Sequence, residues 1–279
     1  MLDQLSPLLQ RIITALVLAP LALAAVLLLR SDWFALALGI VFAYGLWEWS
    51  RLIGLQRRRV RSLLVLLNLI AMGLLLWFFR DRPSALTPLV YVGVLWWLLA
   101  LLWLRTIGFG AEPTRRNLEI KWLVGSLVTL PAWSAGWLLH ASEQGPYWTL
   151  FALLLIWAGD IGAYFFGRRF GRVKLAPQIS PGKTREGLYG ELLVSALFAL
   201  AVGSLLVEDR LALAALVGLA VVTVLFSVVG DLFESLIKRH SRQKDSGSLF
   251  PGHGGMLDRL DSIFAALPIF VAGKLWLGL

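Results

Sequence analysis

The sequence predicts an all-α, polytopic membrane protein with about nine transmembrane helices. Three observations carry this. Of 279 residues, 58% are hydrophobic and only 15% charged, and the mean hydropathy is +0.77; soluble domains carry about a quarter charged residues. The apolar residues fall in runs of roughly 17–20, the length that crosses a ~30 Å hydrocarbon core as a helix. The cations between those runs alternate in density, as they do when successive loops face opposite sides of a membrane.

The nine runs are 12–29, 33–50, 63–79, 86–104, 122–139, 147–166, 188–207, 211–230 and 262–278. The first follows Arg11 and is too long for a signal-peptide core, so it reads as a retained helix. The second and sixth each contain a carboxylate, Glu48 and Asp160. No internal repeat, low-complexity tract or self-sufficient polar segment interrupts the series. The expected organisation is one integral membrane domain over 1–279. N-terminal transmembrane helices fill 1–140; the C-terminal helices and cytoplasmic loops of 141–279 hold the candidate site.

The loops after spans two, four, six and eight carry 20 of the 26 Lys and Arg, and those after spans one, three, five and seven carry four. The positive-inside rule places the first set in the cytoplasm, with the N-terminus inside and the C-terminus outside. The net charge of +9 lies mostly on that face. Topology and attraction to anionic lipid account for Arg57, Arg58 and Arg59. The chain has no cysteine, which excludes disulfides and thiolate metal sites. Its carboxylates favour a hard cation such as Mg²⁺. The 13 tryptophans lie mostly within or at the ends of spans and read as interfacial anchors.

The longest stretch that a bilayer would reject is SLIKRHSRQKDSGSLFPGHGGMLDRLDS, residues 235–262. Its cations suit phosphate, its carboxylates suit a divalent metal, and its glycines admit close backbone approach. Asp258 and Asp261 are three apart, so a helix there would put both on one face, where they need a cation between them. Arg259 supplies one by simple pairing; a metal supplies another. With Asp160 and Asp231 on the same side, Asp160, Asp231, Asp258 and Asp261 are the candidate metal ligands. An ionisable residue within a span, as Asp160 is, is costly unless it has a function or a partner, and Arg168 is the plain partner. Glu48 has a weaker case, because Arg51 lies one turn away.

Between spans six and seven, Ser180-Pro181-Gly182-Lys183-Thr184 resembles the end of a P-loop but lacks its earlier glycine, Pro177 standing there instead. A Gly/Pro turn remains, offering Ser180, Lys183 and Thr184 to phosphate. A helix follows from near Thr184, with Glu186 in its first turn. His253 lies in Pro251-Gly-His-Gly-Gly255, where its titration range suits proton transfer or phosphate binding. His140 and His240 read as structural.

The run from Ser235-Leu-Ile-Lys238-Arg239 through Lys244-Asp245-Ser-Gly247 to Pro251-Gly-His253-Gly254-Gly255-Met-Leu-Asp258-Arg259-Leu-Asp261 resembles the signature of the phosphatidate cytidylyltransferases (CDP-diacylglycerol synthases). Asp160-Ile-Gly-Ala-Tyr164 and Ser180-Pro-Gly-Lys183-Thr184 are similar to other blocks of that family. The resemblance covers about 155–265. It implies conversion of CTP and phosphatidate into CDP-diacylglycerol and pyrophosphate by a Mg²⁺-dependent, homodimeric membrane enzyme. Asp231 and Asp258 would hold the metal, alone or with a second cation, with Asp261 and Asp160 beside them. Lys238, Arg239, Lys244 and Lys183 would neutralise phosphates, and Gly254 and Gly255 would offer backbone N–H groups. Asp231, Lys238, Arg239, His253, Asp258 and Asp261 form the expected catalytic set.

The expected setting is a bacterial inner (plasma) membrane with the site on the cytoplasmic side. The bilayer is the only expected macromolecular partner besides a second copy; no nucleic acid is expected. Three other readings stand beside this one. An ion transporter needs acids at mid-bilayer on several spans. A lipid-phosphate scaffold needs the cations without the carboxylates. A CTP-using lipid-alcohol kinase needs a base for its hydroxyl.

Overall fold

The computed structural model describes residues 7–250 and 254–279, with side chains from residue 16 onward. Among the described residues the chain forms nine α-helices and one short hairpin. In order these are α1 (Pro7–Leu28), α2 (Ser31–Leu52), α3 (Arg58–Phe79), α4 (Thr87–Arg105), α5 (Arg115–His140), α6 (Gly145–Phe170), β1 (Lys174–Ala176), β2 (Ser180–Thr184), α7 (Arg185–Gly203), α8 (Arg210–His240) and α9 (Leu257–Leu277). Eight of them, α2 to α9, are long and apolar enough to cross a membrane. The architecture is all-α and polytopic, as the apolar runs require of a backbone that finds no water in lipid.

The core lies where α2, α4, α5, α6, α8 and α9 meet. Trp97, Trp133, Trp137, Phe42, Phe151, Phe233 and Phe270 are among its largest fully buried side chains. By contrast, α3 leaves Leu63, Leu66, Ile70, Leu74 and Trp77 exposed, the surface expected against acyl chains. The tryptophans correct the sequence reading: seven of the 13 are buried. Their indole N–H groups tie helices together. Trp49 donates to Lys121 O at 3.0 Å, Trp97 to Phe264 O at 3.0 Å and Trp133 to Ala35 O at 2.8 Å. With no hydrophobic force between helices in lipid, such bonds and close packing hold the bundle.

Two elements differ from the apolar runs. The seventh run extends to 207, yet α7 ends at Gly203, and Asp209 caps the next helix by accepting the Ala212 N–H at 2.7 Å. The eighth run ends at 230, yet α8 continues to His240. It continues because an apolar stripe persists: Phe233, Leu236 and Ile237 are buried, and the Phe233 ring packs against Trp49, Trp96, Trp97 and Trp103. The polar stretch 235–262 is therefore no single loop. Its two ends are helical, on α8 and α9.

α8 and α9 cross at Gly230. A Cβ there would strike the backbone carbonyl of Asp261 and stand 2.9 Å from Ala265 Cβ. Glycine at this point lets the two backbones touch, so that Asp231 and Asp261 lie beside the same crossing.

Candidate active site

The site gathers at this crossing. α8 contributes Asp231, Glu234, Ser235 and Lys238; α9 contributes Asp258, Arg259 and Asp261; α6 contributes Asp160; α7 contributes Glu191; the hairpin contributes Lys183.

Segment 180–184, expected as a turn, is strand β2, paired antiparallel with β1. Pro181 is exposed on this short edge, where its missing N–H costs no ladder bond. The strand delivers Lys183 to Asp231, with which it forms an ion pair. Burial alone would lower the Lys183 pKa; Asp231, then Glu191 and Asp261, more than offset it and hold the ammonium above its ordinary value. Thr184 has another task. It is buried, and its Oγ1 accepts the Gly187 N–H at 3.1 Å, capping α7. Glu186, in the first turn of α7, accepts the Arg172 N–H at 3.0 Å and closes the hairpin onto the helix.

Lys238 is buried and bridges two carboxylates. Its Nζ lies 2.7 Å from Glu234 Oε2, one turn back, and 2.8 Å from Asp258 Oδ1 on α9. Asp258 also receives Ser246 N at 3.0 Å, Ser246 Oγ at 2.9 Å and Gly255 N at 2.7 Å on Oδ2. Asp258 and Asp261 do share α9 one turn apart, but they face different neighbours. Asp261 lies against Glu234 and within the field of Asp231. Asp160 faces Lys183, Asp231 and Arg259. Arg168, the plain partner for Asp160, instead donates to Tyr164 Oη at 2.8 Å.

A model of the cytidylyltransferase family matches residues 9–274. The chain belongs to the cytidylyltransferase family. It is 42% identical over 272 residues to a phosphatidate cytidylyltransferase of Pseudomonas aeruginosa, covering 96% of each chain. To one of Haemophilus influenzae it is 38% identical over 280 residues, covering 94% of this chain and 96% of the other. A Staphylococcus saprophyticus protein of the same name matches at 44% over 133 residues, about half of each chain.

The remaining candidates of this cytidylyltransferase fall as follows. Arg239 donates from Nε to Ile179 O at 2.9 Å, fastening the hairpin to α8. Lys244 is exposed, and Ser180 is half-buried on β2. Gly254, at φ 80°, accepts the Phe250 N–H at 3.0 Å. The Gly255 N–H, expected for phosphate, is given to Asp258. His253 lies outside the described residues. His140 is buried with its Nε2 2.8 Å from Val26 O, and the half-buried His240 has its Nε2 2.8 Å from Ile107 O; both are structural.

Four site residues escaped the sequence reading or were undervalued. Glu191 and Glu234 sit inside apolar helices, and the Glu–Lys spacing of Glu234 and Lys238 is the one signal that pointed there. Ser246 gave none. Glu48 was paired with Arg51 by proximity, but its Oε2 accepts Ser246 Oγ at 3.0 Å and the Leu257 N–H at 2.8 Å, while Arg51 donates to the Ser246 carbonyl.

The family resemblance implies Mg²⁺, and the donor set fits it. Oxygen ligands of a hard-cation kind crowd the crossing, and Glu234 Oε1 is buried without a hydrogen-bond partner among the described residues. No group of three His, Asp or Glu converges into a ready cage among the described residues. Mg²⁺ commonly takes one or two carboxylates and completes its shell with substrate phosphates. Beside the carboxylates an apolar cavity of about 660 Å³ runs between α1, α6 and α9, with Leu18, Ala22, Trp157 and Ile263 in its walls and Asp160, Arg259 and Asp261 at its polar end.

Proposed function

We propose that the chain converts CTP and phosphatidate into CDP-diacylglycerol and pyrophosphate, at the cytoplasmic side of a bacterial inner membrane, as a homodimer. The observation that carries the reaction is the identity to a phosphatidate cytidylyltransferase across 96% of both chains. The orientation rests on the Lys and Arg distribution; the dimer rests on the family resemblance.

The chemistry needs no side-chain nucleophile. An oxygen of the lipid phosphate bonds to the α-phosphorus of CTP, the α–β bridging P–O bond breaks, and pyrophosphate leaves with the electron pair. The chain's task is to bring two anions together and to stabilise the leaving group. Asp231 and Asp261, with Asp160 beside them, are the residues that would hold Mg²⁺; Asp258 would join only by giving up a present donor. Bound there, the ion would neutralise phosphate charge and polarise the reacting phosphorus. Lys183 stands at the same carboxylates and meets phosphate oxygens from the hairpin side. Lys238 keeps Glu234 and Asp258 in place below them. Arg259 lies where the apolar cavity meets the carboxylates, which suits a lipid phosphate whose acyl chains run between α1, α6 and α9.

The test is a product assay on detergent-purified protein with Mg²⁺, CTP and either phosphatidate or diacylglycerol. Pyrophosphate and a CMP-bearing lipid from phosphatidate alone are expected. Phosphorylation of diacylglycerol instead would replace the reading with a lipid kinase.

A further inference from the structure

A second cavity, of about 310 Å³, opens at the loop end of α2, lined by Tyr44, Trp47, Glu48, Arg51, Arg61 and Ser248. We propose that it receives the cytosine base of the nucleotide and that Glu48 reads the exocyclic amine. The inference rests on the reaction proposed above.

Glu48 is only 5% exposed, and no ion pair among the described residues includes it. A buried carboxylate without a cation needs hydrogen-bond donors. Oε2 has the Leu257 N–H and shares the Ser246 hydroxyl with Asp258. Oε1 lies against Gly247, a lining residue of the same cavity, where any Cβ would strike it. Glycine at 247 thus lets the loop pack directly on the carboxylate at the cavity wall.

The cavity offers what a cytosine edge requires. Cytosine presents an amino donor at C4, which a carboxylate accepts; uracil presents a carbonyl oxygen there, which a carboxylate repels. The ring O2 and N3 are acceptors and need donors, which the Arg51 guanidinium supplies. Arg61 is held in place: its guanidinium carbon lies 3.9 Å from the Trp47 ring centroid, and it donates from Nε to Ser50 Oγ at 2.9 Å and from a terminal nitrogen to Trp47 O at 3.2 Å. Such a fixed plane stacks well on a base. A phosphate would suit the arginines but not the buried carboxylate beside them in the same cavity.

The cavity also connects to the pair that supports the acidic cluster. Ser246 Oγ stands 3.0 Å from Glu48 Oε2 and 2.9 Å from Asp258 Oδ2, and its single proton serves one carboxylate at a time. A base seated on Glu48 is thus one hydroxyl away from the Asp258–Lys238 pair.

The test compares kcat/KM for CTP and UTP in the parent and in Glu48→Gln, with phosphatidate and Mg²⁺ fixed. The amide offers N–H donors in place of a carboxylate oxygen, so the CTP:UTP preference should fall at least about tenfold, by loss with CTP and gain with UTP. An unchanged ratio in an active variant overturns the inference. A parent that turns over neither nucleotide removes the reaction reading and this site with it. If Glu48→Gln does not fold, Ser248→Trp decides. Filling the cavity from an exposed position should raise KM for CTP and leave KM for phosphatidate unchanged; an unaltered CTP KM overturns the proposal.

Discussion

Lys183 reaches from the β-hairpin to pair with Asp231 on α8. The contact joins an element outside the spans to the helix crossing where the carboxylates gather, so the hairpin and the acidic cluster act as one electrostatic unit. With Lys238 held between Glu234 and Asp258, two lysines offset a surplus of acids.

The Lys183 pair fixes a pH window. The folded pKa lies above the ordinary 10.5, so the pair's contribution to stability is complete below that value. It is lost as pH rises through the folded pKa. Thermal unfolding in detergent should show no pH dependence from this pair up to about pH 10, and a decline above it that Lys183→Met abolishes. A Lys183-dependent decline between pH 7 and 9 would contradict the pairing.

Lys238→Met should strand two acids. Lys238 and Glu234 are both buried, and removing one partner of a buried pair costs about 3–5 kcal/mol. The variant should unfold at a markedly lower temperature and lose activity. Adding Glu234→Gln should restore part of the stability, measured in the same thermal assay, without restoring turnover.

Gly230→Ala tests the crossing itself. The added methyl would meet the Asp261 carbonyl, so α8 and α9 must separate. Turnover should fall at least about tenfold, because misplacing reacting groups by about 1 Å costs as much or more. The protein should still insert with unchanged helix content by circular dichroism.

Chelation should stop the reaction, and added Mg²⁺ should restore it. Asp231→Asn and Asp261→Asn should each raise the Mg²⁺ concentration needed for half-maximal activity while the protein remains folded. Unaltered Mg²⁺ dependence in both would remove the metal from this pair.

The spans were legible because about 20 apolar residues have one economical use in a chain of this composition. Asp160, Asp231, Asp258 and Asp261 stood out as candidates because charge is rare against hydrocarbon. What stayed hidden depends on packing. α8 could not be seen to extend to His240, because Lys238 and Arg239 read as loop until Phe233, Leu236 and Ile237 are known to be buried. β2 looked like a turn because Pro181 and Gly182 dominate its composition. Glu48 and Ser246 are 198 residues apart in the chain, and no local pattern announces a bond over that separation. The tryptophans were assigned to the interface by type, although seven are buried and several bond backbone carbonyls of neighbouring helices.

The most direct test of cytidylyl transfer uses CTP labelled either at the α- or at the γ-phosphate, with phosphatidate in vesicles and the purified protein. The account predicts that α-label enters the lipid one-for-one with pyrophosphate release, and that γ-label appears only in pyrophosphate. Transfer of γ-label to lipid, or pyrophosphate release without labelled lipid, would contradict it.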